Sequence, residues 1–357
     1  MSLTRTFFMS LVIIVLAFSV SVWATEPEEP KDEEESASIV IPIIMNGPDT
    51  GWVLGFIYMK QSSGPTNNLF QGGLMYSEEE QMSFFAGVDH YLSDGKYLLK
   101  SQIAYVDSPR DFYGVGNEDP DRTGEEYTSI AKLFSIGILQ RIKDGLYFGP
   151  VIACNWFEVD QKTEGALLDR GNIYGSDGAD AIGIGLNLSQ NRLDDSNSPK
   201  QGYTYDLIFL SYDEAFGSTY DFSQFEADFS KFYSFKWGTI GLNTKLIWSD
   251  GDVPFQMLPS LGNSKLMRGL EPNKYCDLNF FAIQGEYRFP IHKRWSGVTF
   301  VALGDVADSV SNLKLDDYTY GFGIRFALDQ KQTFKLRLDI GCGKHESAAY
   351  FGLQEAF

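Results

Sequence analysis

Between residues 318 and 328, Tyr318, Tyr320, Phe322, Ile324, Phe326 and Leu328 alternate strictly with Thr319, Gly321, Gly323, Arg325 and Ala327. A helix cannot use this pattern, because its side chains return to one face about every 3.6 residues, whereas successive strand side chains point to opposite faces. The same alternation recurs where Phe334, Leu336, Leu338, Ile340 and Cys342 oppose Lys335, Arg337, Asp339, Gly341 and Gly343. Farther upstream, Ile182, Ile184, Leu186 and Leu188 oppose Gly183, Gly185, Asn187 and Ser189. Aromatic and aliphatic residues on one face, with glycine and charge on the other, suit a strand standing between lipid and a wet lumen.

Sixteen such runs are predicted, the first at 39–46 and the last at 349–357. From the fourth run onward short and long connectors alternate. Tight ones fall at 93–96, 143–145, 236–238, 292–294 and 329–332, and long ones at 107–125, 161–178, 252–277 and 307–317. Outer-membrane barrels have short periplasmic turns, longer outer loops and an even strand count. A soluble sandwich would also alternate, but 28 Phe, 19 Tyr and 6 Trp would give it an unusually aromatic core. Closing the sheet removes the bare edges that lipid does not tolerate. The expected fold is an all-β transmembrane antiparallel barrel over 39–357, with a long extracellular loop folded into the lumen.

Residues 1–24 carry one basic residue, Arg5, then an apolar run ending in Val22-Trp23-Ala24. This reads as a cleavable secretory signal, the run being shorter than the roughly 20 residues of a spanning helix. Its removal leaves 28 basic against 48 acidic residues, a net charge of −20. Nucleic acid and anionic lipid headgroups are therefore poor partners. Residues 25–38, TEPEEPKDEEESAS, hold seven acids and no large apolar residue, and read as an acidic disordered leader.

The chain has no HExxH, GxSxG or P-loop motif. His90, His292 and His345 fall on different strands or turns without a second ligand at metal spacing. No enzyme, metal site or cofactor is expected. Cys154, Cys276 and Cys342 are an odd set, which leaves at least one free thiol; Cys154 and Cys342, in phase with apolar neighbours, read as small buried hydrophobes.

The longest connector, 252–277, carries Phe255, Met257, Leu258, Leu261, Leu266, Met267 and Leu270. That is too apolar to remain solvated. Its centre, Met267-Arg268-Gly269-Leu270, resembles the arginine-glycine loop of the BamA/TamA-type outer-membrane assembly barrels, also called the bacterial surface antigen family. Residues 46–51 resemble the opening PxTG turn of that family and 112–117 its YGxGN segment. Residues 191–202, with Arg192, Asp194, Asp195, Pro199 and Gly202, look like its RD…P..G turn, and 286–290 its EYRFP strand. The terminal segment through Gly352 to Phe357 is similar to the signal read by the assembly machinery. Two departures stand out. The Asp expected to meet the loop arginine from the strand after EYRFP is Ala302, and the 14-residue acidic leader is too short for a periplasmic POTRA module, so a barrel-only member is expected.

The resemblance implies a monomeric barrel that inserts or translocates polypeptides or lipids at the outer membrane, opening between its first and last strands. Outer-membrane lipids, unfolded outer-membrane proteins and a separate periplasmic partner are the implied partners. A passive pore or structural barrel is the alternative. Arg268 and Gly269 with Glu286 are expected to lock the loop inside, since Gln284, Glu286 and Arg288 share the inward phase. Pro42, Gly352 and Phe357 are expected at the seam, Pro42 because it cannot donate to a ladder.

Overall fold

A computed structural model describes residues 36–47, 51–62, 68–117, 121–160, 162–328 and 334–357. The expected signal segment, leader residues 25–35, Pro48 to Thr50 of the opening turn, Glu118 to Pro120 and the 329–332 turn lie outside the described residues. The sixteen predicted runs are sixteen strands. They are β1 (Ser36–Gly47), β2 (Gly51–Ser62), β3 (Leu69–Ser77), β4 (Met82–Leu92), β5 (Tyr97–Phe112), β6 (Glu125–Lys143), β7 (Leu146–Asp160) and β8 (Ala179–Asn191). Then come β9 (Gly202–Tyr212), β10 (Phe222–Phe235), β11 (Gly238–Gly251), β12 (Asn279–His292), β13 (Trp295–Ala307), β14 (Asp317–Ala327), β15 (Lys335–Cys342) and β16 (Ser347–Leu353).

All belong to one sheet in sequence order, each antiparallel to the next. Among the described residues no helix is long and apolar enough to cross a membrane; the crossing is made by strands. Their alternation sorts the side chains as the sequence requires. On β12, Ala282, Gln284, Glu286 and Arg288 are buried while Ile283 and Ile291 are exposed; on β13, Phe300 and Ala302 are buried while Val301 and Leu303 are exposed. Side chains from distant strands meet inside the curl of the sheet. Lys100 of β5 pairs with Asp206 of β9, and Asn197 beyond β8 reaches Gln61 of β2.

Three boundaries move by three residues or more. β1 starts at Ser36, which pairs with Ser62, so the last leader residues join the ladder. β5 continues to Phe112, through polar residues that the alternation signal does not reach. β16 stops at Leu353; Gln354 takes a left-handed φ of 63°, and the chain turns off the strand. Cys154 and Cys342 also differ from expectation. They sit half-buried on the outward, membrane-facing phase, and it is Cys276, in the long loop, that is buried.

The loop joining β11 to β12 supplies much of the interior. Leu261, Leu266, Met267 and Leu270 pack with Phe280 and Ala282 of β12 and Ala302 and Val306 of β13. Nearer its start, Phe255 meets Phe112 and Tyr127 edge-on, with ring centroids 4.9 and 5.5 Å apart, beside Leu168. Each such burial stabilises the docked loop by about 1.5–3 kcal/mol, and this is what holds a connector of its length inside the sheet.

Candidate functional site

The inward phases of β12 to β15 place a set of charges opposite the loop. Glu286 and Arg288 come from β12, Arg325 from β14, and Lys335, Arg337 and Asp339 from β15; all are buried. Arg268 descends onto them from the loop, itself wholly buried. Its presentation is conformationally demanding, because Met267 (φ 54°) and Gly269 (φ 116°) on either side are both left-handed, a region costly for residues with a side chain. Gly269 has a second reason to be glycine. A Cβ there would stand 2.7 Å from the Cys342 nitrogen, and one on Gly341 would stand 2.4 Å from the Arg268 carbonyl oxygen. Two glycines thus let the loop backbone lie directly on the backbone of β15.

The Arg268 guanidinium donates to Glu286 through Nη2 and to Asp339 Oδ2 through Nη1 at 2.5 Å. Its carbon sits 3.5 Å above the centroid of the buried Phe300 ring, a cation–π contact strengthened by desolvation. The sequence-expected partner Glu286 is therefore in contact with Arg268. The acid that Ala302 does not supply comes instead from Asp339, two strands farther on. Ala302 packs in the apolar cluster under the loop, and on the same strand Phe300 provides a ring face.

Further charges complete the arrangement. Arg288 donates to Glu286 at 3.0 Å, and Arg325 Nη1 to Asp339 Oδ1 at 2.5 Å. Glu355, past the end of β16, accepts from Arg325 Nε at 2.9 Å and Lys335 Nζ at 3.0 Å. Burial alone would raise the Glu355 carboxyl, but Arg288, Lys335 and Arg325 outweigh it and hold it at about 2. Five cations converge on three carboxylates here, and Arg337 is the least well served. Its Nε lies 3.8 Å from Asp339, and among the described residues neither Nε nor Nη1 has a hydrogen-bond acceptor.

Phe357 is not on the seam. Its carbonyl oxygen accepts from Arg288 Nη2 at 2.7 Å and its ring lies 5.7 Å from Phe232 of β10. Glu355 is drawn inward by the lumen cations, and the turn at Gln354 carries the following residues across the barrel. Gly352 is on β16, opposite Arg337 of β15, and Pro42 is on β1 opposite Phe56 of β2, exposed to the outside. Among the described residues no ladder joins β1 to β16.

The loop also touches the last strand and its turn. Gly269 N donates to the hydroxyl of Tyr350 on β16 at 2.9 Å, and Glu346 accepts from Glu271 N at 2.6 Å and Lys274 Nζ at 2.5 Å. On the far side, Gly116 N donates to the Cys276 carbonyl at 2.7 Å, and Asn117 donates to the Asp305 carboxylate, which also caps Lys314 N at 2.5 Å. The YGxGN segment is thus a dock for the end of the loop. Asp339, Tyr350 and Asp305 lie outside the sequence-expected set. Only the inward phase of Asp339, between Arg337 and Gly341, marks it as a lumen acid.

A family model described as the Omp85 superfamily domain matches residues 140–354, more than half of the chain. The chain belongs to the Omp85 superfamily. Among solved structures, this Omp85 barrel is similar to BamA from Haemophilus ducreyi lacking POTRA domains 1–3, with a TM-score of 0.57, 11% identity, and coverage of 91% of this chain and 70% of that one. It is also similar to CdiB from Escherichia coli (TM-score 0.54, 13% identity, 92% and 63% covered) and CdiB from Acinetobacter baumannii (0.52, 10%, 89% and 59%). The chain spans less than two thirds of either CdiB. At these identities the likeness is one of fold. No curated protein matches the sequence. The Omp85 barrel is an outer-membrane architecture, and the outward apolar band of this chain is what such a location requires.

Proposed function

We propose that this Omp85 barrel inserts or translocates polypeptides or lipids at the outer membrane by parting β1 from β16. The observation that carries the reading is the seam. Among the described residues β1 pairs with β2 and β16 with β15, but no ladder connects the two edges. β16 is the shortest strand, and Pro42 withholds one donor from β1. The Arg268 loop bears on the same place through Tyr350, so docking of the loop and the position of the last strand are mechanically linked. Unfolded outer-membrane proteins, delivered directly or by a separate periplasmic partner, are the polypeptide substrates this reading favours.

The test is a cysteine pair placed across the seam, one member within 38–44 and the other within 348–352, in protein reconstituted in liposomes. Oxidation should abolish assisted insertion of an unfolded barrel protein, and reduction should restore it. Equal insertion by the oxidised and reduced forms would remove lateral opening. A steady ohmic conductance in planar bilayers, unchanged by that oxidation, would point to a passive pore.

A further inference from the structure

The turn between β8 and β9, residues 192–201, is built more firmly than a simple connector requires. Asp194 Oδ1 accepts from Lys200 N at 2.9 Å and Gln201 N at 3.0 Å, and Asp195 Oδ1 accepts from Asn197 N at 2.7 Å and Ser198 N at 2.9 Å. Asp side chains that bond their own backbone in this way fix a turn before anything else binds it. Gly202 closes it with φ 105°, where a Cβ would stand 2.0 Å from the Arg192 carbonyl oxygen. Arg192 ties the base to the neighbouring turn through the Asp144 carbonyl at 2.5 Å.

The tip of this turn leaves its own strands and crosses the mouth of the barrel. Asn197, buried, donates from Nδ2 to Gln61 on the inward phase of β2. The very next residue, Ser198, accepts from Lys335 Nζ of β15 at 2.5 Å, and Arg288 of β12 reaches the Pro199 carbonyl at 3.4 Å. Consecutive Cα atoms are only about 3.8 Å apart. One dipeptide therefore holds the second strand from one edge of the sheet and the second strand from the other. Lys335 also binds Glu355, and its backbone exchanges hydrogen bonds with Gln354 at 2.8 and 3.1 Å, so the grip extends to the end of β16.

We propose that the 192–201 turn is a clasp across the seam, restraining β1–β2 against β15–β16 at the end of the barrel where the chain begins and ends. It would regulate the opening put forward above, and rests on that reading for its purpose. The seam then parts only when Asn197 leaves Gln61 or Ser198 leaves Lys335. A ligand or protein that engages the turn from the periplasmic side would act as a release.

Seam separation can be read without any substrate. Spin labels at Val40→Cys and Phe351→Cys, both outward-facing positions flanking the seam, would be introduced after Cys154, Cys276 and Cys342 are changed to Ser. Distances would be recorded in nanodiscs by double electron–electron resonance. The parent is expected to give one narrow population, and Asn197→Ala with Ser198→Ala a second one longer by at least a strand spacing, about 4.8 Å. Gln61→Ala, which leaves the turn and Lys335 untouched, should give the same shift and serves if the double variant does not fold. A control pair at Phe148→Cys and Ile240→Cys should not move. An unchanged seam distribution in Gln61→Ala overturns the clasp, as does equal broadening at the control pair, which means general loosening. A released seam in a barrel that inserts nothing keeps the clasp and removes the function it was argued from.

Discussion

Arg268 and Asp339 meet at 2.5 Å although 71 residues separate them, and the contact joins the loop to the strand beside the last one. Asp339 also receives Arg325 and is the nearest acid to Arg337. Three guanidinium groups share this carboxylate, although Arg268 also holds Glu286 and Arg325 also holds Glu355. Deleting a buried partner and leaving its counter-charges unpaired costs about 3–5 kcal/mol.

That imbalance gives an order among substitutions. With Arg268→Ala, Glu286 keeps Arg288 and Asp339 keeps Arg325, so the barrel loses loop docking but strands no charge. With Asp339→Ala, Arg268 keeps Glu286 and Arg325 keeps Glu355, but Arg337 loses its carboxylate and five buried cations are left with two acids. We expect Asp339→Ala to lower unfolding free energy in urea by about 3–5 kcal/mol, more than Arg268→Ala or Glu286→Ala does. An equal loss in all three would show that the network is not organised around Asp339.

Arg268→Lys tests geometry at constant charge. A lysine has no planar fork to bridge Glu286 and Asp339 while lying flat on Phe300. We expect the loop in this variant to be cut by proteinase K under conditions where the parent resists, with heat-modifiable migration of the barrel intact. Full protection of the lysine variant would mean that charge alone holds the loop.

Much of this fold is legible in the sequence because each transmembrane strand answers to one local rule. Lipid outside and a polar lumen inside impose period two on every crossing, and so all sixteen strands are marked. The ends are less well marked. β5 runs on through Asp107 to Phe112, where the strand leaves the membrane and its outward residues no longer need to be apolar. Arg268 and Glu286 are legible through phase and resemblance together. Asp339 and the inward course of Glu355 to Phe357 are not, because they depend on which distant strands face each other across the lumen, and no local pattern encodes that.

Gly341 reads in sequence as a small inward residue, and the structure gives its size a specific use. The Arg268 carbonyl occupies the place of its Cβ. Gly341→Ala should therefore push the loop off β15 without disturbing the β14–β15 ladder, in which Gly341 pairs with Gly321. We expect protease sensitivity like that of Arg268→Lys, together with native heat-modifiable migration. A protected loop in Gly341→Ala would mean that the backbone contact is not required for docking.

The last expectation concerns acid. Glu355 lies beyond the end of β16, and burial works against its charge. Arg288, Lys335 and Arg325 nevertheless hold its carboxyl at about 2, below the ordinary 4.5. A depressed carboxylate contributes stability that is fully present above its unfolded value and is lost as pH falls toward its folded one, because the unfolded chain takes up the proton first. The window is thus about pH 4.5 down to about 2, and the gap corresponds to on the order of 3 kcal/mol. Other carboxylates titrate in the same range, so the informative quantity is the difference in unfolding free energy between the parent and Glu355→Gln, followed by urea titration from pH 7 to pH 2.5. That difference should be constant from pH 7 to about 5 and should shrink steadily below it, as the parent loses what the glutamine variant never had. A difference independent of pH would mean that Glu355 contributes by packing and hydrogen bonding, and that its ion pairs with Arg325 and Lys335 do not anchor the chain end in the lumen.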